Sequence, residues 1–177
     1  MSWVTSNITI NDFKGELKLP FANPDIAQLD DVSEAVVNEF MLKLLGVELF
    51  EEFMADMENE TPEARWSDLW NGKTYTQTLT GHVVKFDGCK KFMVQLIWSE
   101  MKAKSTSTEV NGDYNDDISN ANKASSLVTN RYVLTIFNKA VVNYGGAFAF
   151  MKNSLQSGSL DYDGIQFQEI SVKPNII

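Results

Sequence analysis

The chain's only histidine, His82, is the residue whose type best suits proton transfer at neutral pH. Catalysis by an imidazole also needs a nucleophile or a carboxylate held within hydrogen-bond reach. His82 instead follows Gly81 in a stretch that reads as a hairpin turn, and no Ser or Cys nucleophile motif surrounds it. It is expected to be an exposed turn residue. Asp113, Asn115, Asp116 and Asp117 offer oxygen ligands in a cluster that superficially resembles a calcium loop. The alternate spacing, central glycine and closing bidentate Glu of an EF-hand are missing, so no metal site is expected there. Glu48, Glu51, Glu52 and Asp56, with Glu58 and Glu60 beyond, could supply paired carboxylates. On a helix they fall opposite Phe50, Phe53 and Met57, which makes them a solvated face.

The other signatures of chemistry are missing too. Cys89 is the only cysteine, which excludes an internal disulfide and any Cys-rich zinc site. It shares a helical stripe with Phe92, Met93 and Leu96 and reads as a buried packing thiol. Tyr144-Gly145-Gly146 lies inside a helical pattern rather than between a strand and a helix, so it is no phosphate loop. HExxH and CxxC spacings do not occur. No catalytic, metal-ligating or cofactor-binding residue is expected, and no cofactor. The reading is a structural protein that acts by packing into a larger assembly.

The elements follow from periodicity. Asn23-Pro24 reads as a helix cap followed by proline at the first helical position. Ile26, Leu29, Val36, Val37, Phe40, Met41, Leu44 and Leu45 then recur at helical steps, and Gly46 breaks or kinks the run. Leu49, Phe50, Phe53, Met54 and Met57 continue it to about Glu58. Thr61-Pro62 repeats the cap-plus-proline signal before a short helix faced by Trp66, Leu69 and Trp70 and ended by Asn71-Gly72. Residues 74–86 are rich in Thr, Val and Tyr and predict a small hairpin. A third long helix carries Cys89, Phe92, Met93, Leu96, Ile97 and Met101. Trp3, Trp66, Trp70 and Trp98 are assigned to the core one by one, with Trp98 at its edge or in a contact.

Residues 104–122 are polar, rich in hydroxyl and amide side chains that compete with helical hydrogen bonding, and predict a long loop. Val133, Phe137, Ala140, Val141, Tyr144, Phe148 and Met151 mark the last helix. Gly145-Gly146 interrupts it, at about 1 kcal/mol per glycine relative to alanine, which suggests close approach of another backbone or ring. After the Ser157-Gly158-Ser159 joint, Tyr162, Ile165, Phe167, Ile170 and Val172 alternate with polar residues as in a strand. Such a tail either folds back on the hairpin or reaches a neighbouring subunit by strand addition. The expected architecture is mainly α: a helical bundle with a small β-hairpin, a long loop and a strand-like C-terminal tail. Residues 1–156 form the helical domain and residues 157–177 the extension.

A length of 177 residues suits one domain plus an appendage, and 44% hydrophobic with 22% charged residues suits a folded soluble chain. A formal net charge of -9 argues against wrapping nucleic acid, which requires clustered Lys and Arg. It fits solubility alone, or a surface that repels DNA and lets it slide. Residues 1–10 show no basic cluster followed by an apolar run, and no window is apolar enough to span a bilayer. The expectation is a soluble protein made in a reducing cytoplasm, with no membrane partner.

The order of these parts resembles the head–tail connector, or adaptor, proteins of tailed bacteriophages, particularly those of phages infecting gut Bacteroidetes. The resemblance spans residues 24–153. It rests on Leu44-Leu45-Gly46, then Leu69-Trp70-Asn71-Gly72-Lys73-Thr74-Tyr75, then Phe86-Asp87-Gly88-Cys89-Lys90 opening an aromatic-containing helix. A Ser/Thr loop ending in Glu109-Val110-Asn111-Gly112 follows, and a closing helix with Asn138-Lys139-Ala140, Tyr144 and Phe150-Met151-Lys152-Asn153. The resemblance implies a helical bundle with a protruding loop, in a homo-oligomeric ring, usually of twelve copies, beneath the portal in the virion neck. The ring would contact the portal protein and the next neck or tail protein and pass double-stranded DNA through its channel; no catalytic residues carry over. The tail beyond Asn153 is longer than the pattern. Interface contacts are expected at Tyr162, Ile165, Phe167, Ile170, Val172 and Ile176 of the tail and at Val110 and Tyr114 of the loop. The other class of reading is an acidic soluble module that inhibits a basic host protein.

Overall fold

A computed structural model describes residues 2–19, 26–109 and 119–173, with the backbone alone at 26, 104–109 and 119–129. Helix α1 (Trp3–Asn7) and two short 3-10 turns (Ile10–Asp12, Gly15–Leu17) lead to α2 (Ile26–Leu45), α3 (Val47–Met57) and α4 (Ala64–Asn71). Strands β1 (Lys73–Thr76) and β2 (Val83–Phe86) follow, then α5 (Cys89–Glu109) and α6 (Ser119–Gln156). The protein is mainly helical, and β1 and β2 form a two-stranded antiparallel hairpin with Lys73 opposite Phe86 and Thr76 opposite Val83.

Helix α5 is the centre of the bundle. Every residue from Phe92 to Ser99 is buried, which is the property of a helix covered on all sides rather than on one stripe. Its two polar members are satisfied: Ser99 donates to the Gln95 carbonyl, and the Gln95 side-chain oxygen accepts from Asn143 Nδ2 at 3.0 Å. Against α5 lie α2, through Val36, Val37, Met41 and Leu44, and the antiparallel α6, through Ile136, Ala140, Tyr144 and Ala147. The amino-terminal segment closes the third side. Trp3, Val4, Ile8, Phe13 and Leu19 are buried, and Trp98 Nε1 donates to the Lys18 carbonyl at 3.2 Å. All four tryptophans belong to the core, Trp98 included at 1% exposure. The covering role of residues 3–19 had no periodic signal, because the segment is too irregular to repeat.

Several expectations need correction. At the ends of the predicted loop 104–122 the chain is helical, α5 extending to Glu109 and α6 starting at Ser119, and residues 110–118 lie outside the described residues. Hydroxyl side chains carry only a small propensity penalty per residue, so a helix can run on through several of them. Thr61-Pro62 does not start α4; Glu63 is its N-cap, with its amide donating to Asp56 Oδ2 at 2.7 Å. The Asn23-Pro24 cap lies outside the described residues. Gly145-Gly146 does not interrupt α6, and a Cβ at either position would meet nothing within 4 Å. The expected close approach is not made. Alanine at Gly145 or Gly146 is therefore expected to raise stability by about 0.5–1 kcal/mol, read as a higher urea midpoint.

The hairpin is mounted on the bundle by a pair of glycines. Gly72 leaves α4 at φ +92° and Gly88 enters α5 at φ +85°, and the two chain segments cross in contact. A Cβ on Gly72 would stand 2.4 Å from the Phe86 carbonyl oxygen, and one on Gly88 would stand 2.4 Å from that of Trp70. The Asn71-Gly72-Lys73 and Asp87-Gly88-Cys89 segments are thus one structural joint. Above it, Phe86 stacks on Phe150 at 4.8 Å and Tyr75 meets the same ring edge-on, so the hairpin is pinned to the end of α6.

Candidate assembly interface

The segment after α6 is where the residues singled out for contact converge. Ser157-Gly158-Ser159 turns the chain, and Tyr162 then enters the bundle at 1% exposure. Its ring meets Trp66 and Phe150 edge-on, and its hydroxyl donates to the Arg65 carbonyl at 2.7 Å. Arg65 returns the contact, Nη1 donating to the Asp161 carbonyl at 2.8 Å while its other nitrogens pair with Glu52 and Glu63. This anchor ties the tail to α4.

Beyond the turn at Gly164 the chain runs extended along the bundle. The amides of Gln166 and Gln168 donate to the carbonyls of Leu45 and Lys43, at 3.2 and 2.8 Å. These carbonyls belong to the last turn of α2, where the helix supplies no donor of its own. On the other flank Tyr144 Oη donates to the Gln168 carbonyl at 2.9 Å. Asn138 clamps the far end, donating to the Lys173 carbonyl at 3.0 Å and accepting from the Lys173 amide at 2.9 Å. Phe167 stacks on Phe148 at 4.1 Å and leans on Tyr144 at 5.3 Å. Ile165, Phe167 and Ile170 are half-buried, while Gln166, Gln168 and Glu169 are exposed.

The alternation read from the sequence is therefore present, but its physical basis differs. Residues 165–173 are not a strand; their backbone is paired with helix-end carbonyls and side chains rather than with a ladder. Nor do they fold onto the hairpin. Within the chain, residues 161–173 pack on α2, α4 and α6. Tyr162, Ile165, Phe167 and Ile170 line that contact, and Val172 at its end is 56% exposed. Ile176, Val110 and Tyr114 lie outside the described residues. Sequence reading missed Arg65 and the clamping role of Asn138, because both act on backbone groups and leave no compositional trace.

Burial pushes the phenols of Tyr144 and Tyr162 well above their ordinary value of 10.0. Up to that pH both are neutral in folded and unfolded chains alike. Above it the unfolded chain ionises while the folded one resists, so stability falls as pH rises past 10. In an absorbance titration near 295 nm, Tyr144 and Tyr162 are expected to ionise after the exposed tyrosines and together with release of the tail.

Elsewhere the groups with chemical potential stay apart. His82 is exposed in the hairpin turn, its carbonyl accepting from the Gln77 amide at 2.8 Å. Cys89 is fully buried, and burial raises its thiol well above the ordinary range. Glu48, Glu51 and Glu52 are exposed on α3, whereas Asp56 is engaged by the Glu63 amide and Asn59. The Asp113–Asp117 cluster lies outside the described residues. Among the described residues no three His, Cys, Asp or Glu side chains are grouped to hold a metal ion, and no helix is long and apolar enough to cross a membrane. Compared with protein-family models, curated proteins and solved structures, the chain matches none of them.

Proposed function

We propose that the chain is a structural subunit of a tailed-phage neck, forming a homo-oligomeric ring that joins the portal to the tail and lines the DNA channel. The protein would be assembled in the host cytoplasm and reside at the head–tail junction of the virion. The observation that carries this reading is the Gly72–Gly88 joint. The resemblance to connector proteins rests on short motifs in a fixed order, and two of those motifs meet residue against residue at that joint. A net charge of -9 suits a channel that must not hold its cargo. No catalytic role is assigned to any residue.

Light scattering and electron microscopy of the purified chain test the ring directly, with closed rings of uniform copy number as the expected result. A strictly monomeric chain that is also missing from purified virions would defeat the proposal. Double-stranded DNA is expected to show no retention on the immobilised protein at physiological salt, and tight binding would count against a sliding channel. The exposed carboxylates of Glu48, Glu51 and Glu52 on α3 favour a second reading, an acidic module that binds a basic host protein. A pull-down separates the two: virion components under the first, a basic host protein under the second.

A further inference from the structure

We propose that a basic face of the bundle, built from residues 12–18, 87–91 and 131–142 with Val172, receives the acidic face of α3 from a second copy of the chain. The inference rests on the homo-oligomer reading above and names the two surfaces that would meet. On a chain of net charge -9 the basic face is an exception: Lys14, Lys18, Lys90, Lys91, Arg131 and Lys139 stand there against Asp12, Glu16 and Asp87. Polar contacts draw these separate segments into one surface. Lys90 pairs with Asp12 at 2.8 Å, Lys139 with Glu16 at 3.6 Å and Lys91 with Asp87, while Tyr132 Oη donates to the Glu16 carbonyl at 3.1 Å. Lys91 and Lys139 flank an open groove of about 610 Å³ that also holds Val142 and Val172, which are 69% and 56% exposed.

Residues 47–63 supply the complement, since they hold seven carboxylates and no Lys or Arg. Glu48, Glu51 and Glu52 are spaced three and four residues apart, so they share one side of α3, and all three are exposed. Arg65 reaches Glu52 and Glu63 from α4 and leaves the stretch strongly negative. Val47 opens the same helix beside Glu48 and is 56% exposed. Each face thus sets exposed valine among charges of one sign, and an apolar centre within a polar rim is how protein interfaces are built. Because the two faces differ, their pairing runs head to tail, the kind of contact that closes into a ring. Opposite charge steers such an encounter, and like charge keeps two basic or two acidic faces apart. Asp12, Glu16 and Asp87 within the basic face would repel a phosphate backbone, which favours an acidic protein surface over nucleic acid as its occupant.

Swapping charge between the faces tests the pairing. Lys91→Glu with Lys139→Glu reverses the basic face, and Glu48→Lys with Glu51→Lys reverses the acidic one. All four side chains are exposed, so the ion pairs lost within the chain contribute little to folding. By light scattering, each double variant alone is expected to fall from the wild-type oligomer to the 19.9 kDa monomer. An equimolar mixture of the two is expected to regain the wild-type mass, because every junction then joins opposite charges again. Urea midpoints check that both variants fold. If either does not, glutamine at the same two positions is expected to weaken assembly about tenfold. Oligomers unchanged in both variants, or variants that dissociate and stay apart on mixing, would overturn the pairing and leave the ring reading standing. Double-stranded DNA held by the wild type and released by Lys91→Glu with Lys139→Glu would assign the basic face to nucleic acid and overturn the pairing too. A wild-type chain that is monomeric at every concentration removes both readings.

Discussion

Alanine at Gly72 or Gly88 is expected to cost about 3–5 kcal/mol, the largest loss from adding one methyl group anywhere in the described chain. Two penalties combine. Gly72 sits at φ +92° and ψ 159°, a region that only glycine enters without strain. The added Cβ would also lie 2.4 Å from the Phe86 carbonyl oxygen, and that atom is backbone, unable to swing aside. Gly88 is the mirror case, at φ +85° and 2.4 Å from the Trp70 carbonyl oxygen. Relief would require the two crossing segments to separate, which would lift the hairpin from Phe150 and shift the start of the central helix. Total stabilities of single domains are about 5–15 kcal/mol, so either variant is expected to yield little folded protein at 37 °C. Urea unfolding followed by tryptophan fluorescence is the measurement. Wild-type midpoints for both variants would show that the joint does not exist. Alanine at Gly145 provides the internal contrast, with the same substitution and the opposite expected sign.

Tyr162→Ala is expected to cost about 3–4 kcal/mol, in the range for emptying a buried aromatic site. The ring fills a space between Trp66 and Phe150 at 1% exposure, and its removal takes one edge-on partner from each. Tyr162→Phe keeps the packing and deletes only the hydrogen bond to the Arg65 carbonyl, for about 1–2 kcal/mol. The ordering Ala worse than Phe separates packing from polarity. Phe167→Ala is expected to cost less than Tyr162→Ala, because Phe167 is only half-buried. Equal losses in equilibrium unfolding would show that Phe167 contributes to the core as much as Tyr162 does.

Much of the architecture was legible in residue spacing. The helical stripes of α2, α3, α5 and α6, the stop at Gly46 and the hairpin at 73–86 all depend on local periodicity and on turn glycines. At 104–109 and 119–122 the helices run further than the local propensity of Ser and Thr predicts, because that propensity is a weak bias. The same holds at Gly145-Gly146. An interrupted helix was expected where the backbone simply continues, and the room the glycines leave is unused by this chain.

The centres of the long helices were thus determined by the sequence alone, through the repeat of apolar side chains. Where the tail goes was decided only in three dimensions. Alternation at Tyr162, Ile165, Phe167 and Ile170 states that one side of the segment is buried, but not against what. The answer lay in groups that side-chain patterns cannot encode: the Lys43 and Leu45 carbonyls, freed because α2 ends there, and the Tyr144 and Phe148 rings that α6 sets beside them. Backbone groups are the same at every position. Only the fold determines which of them are left unpaired, and therefore where an extended segment can bind.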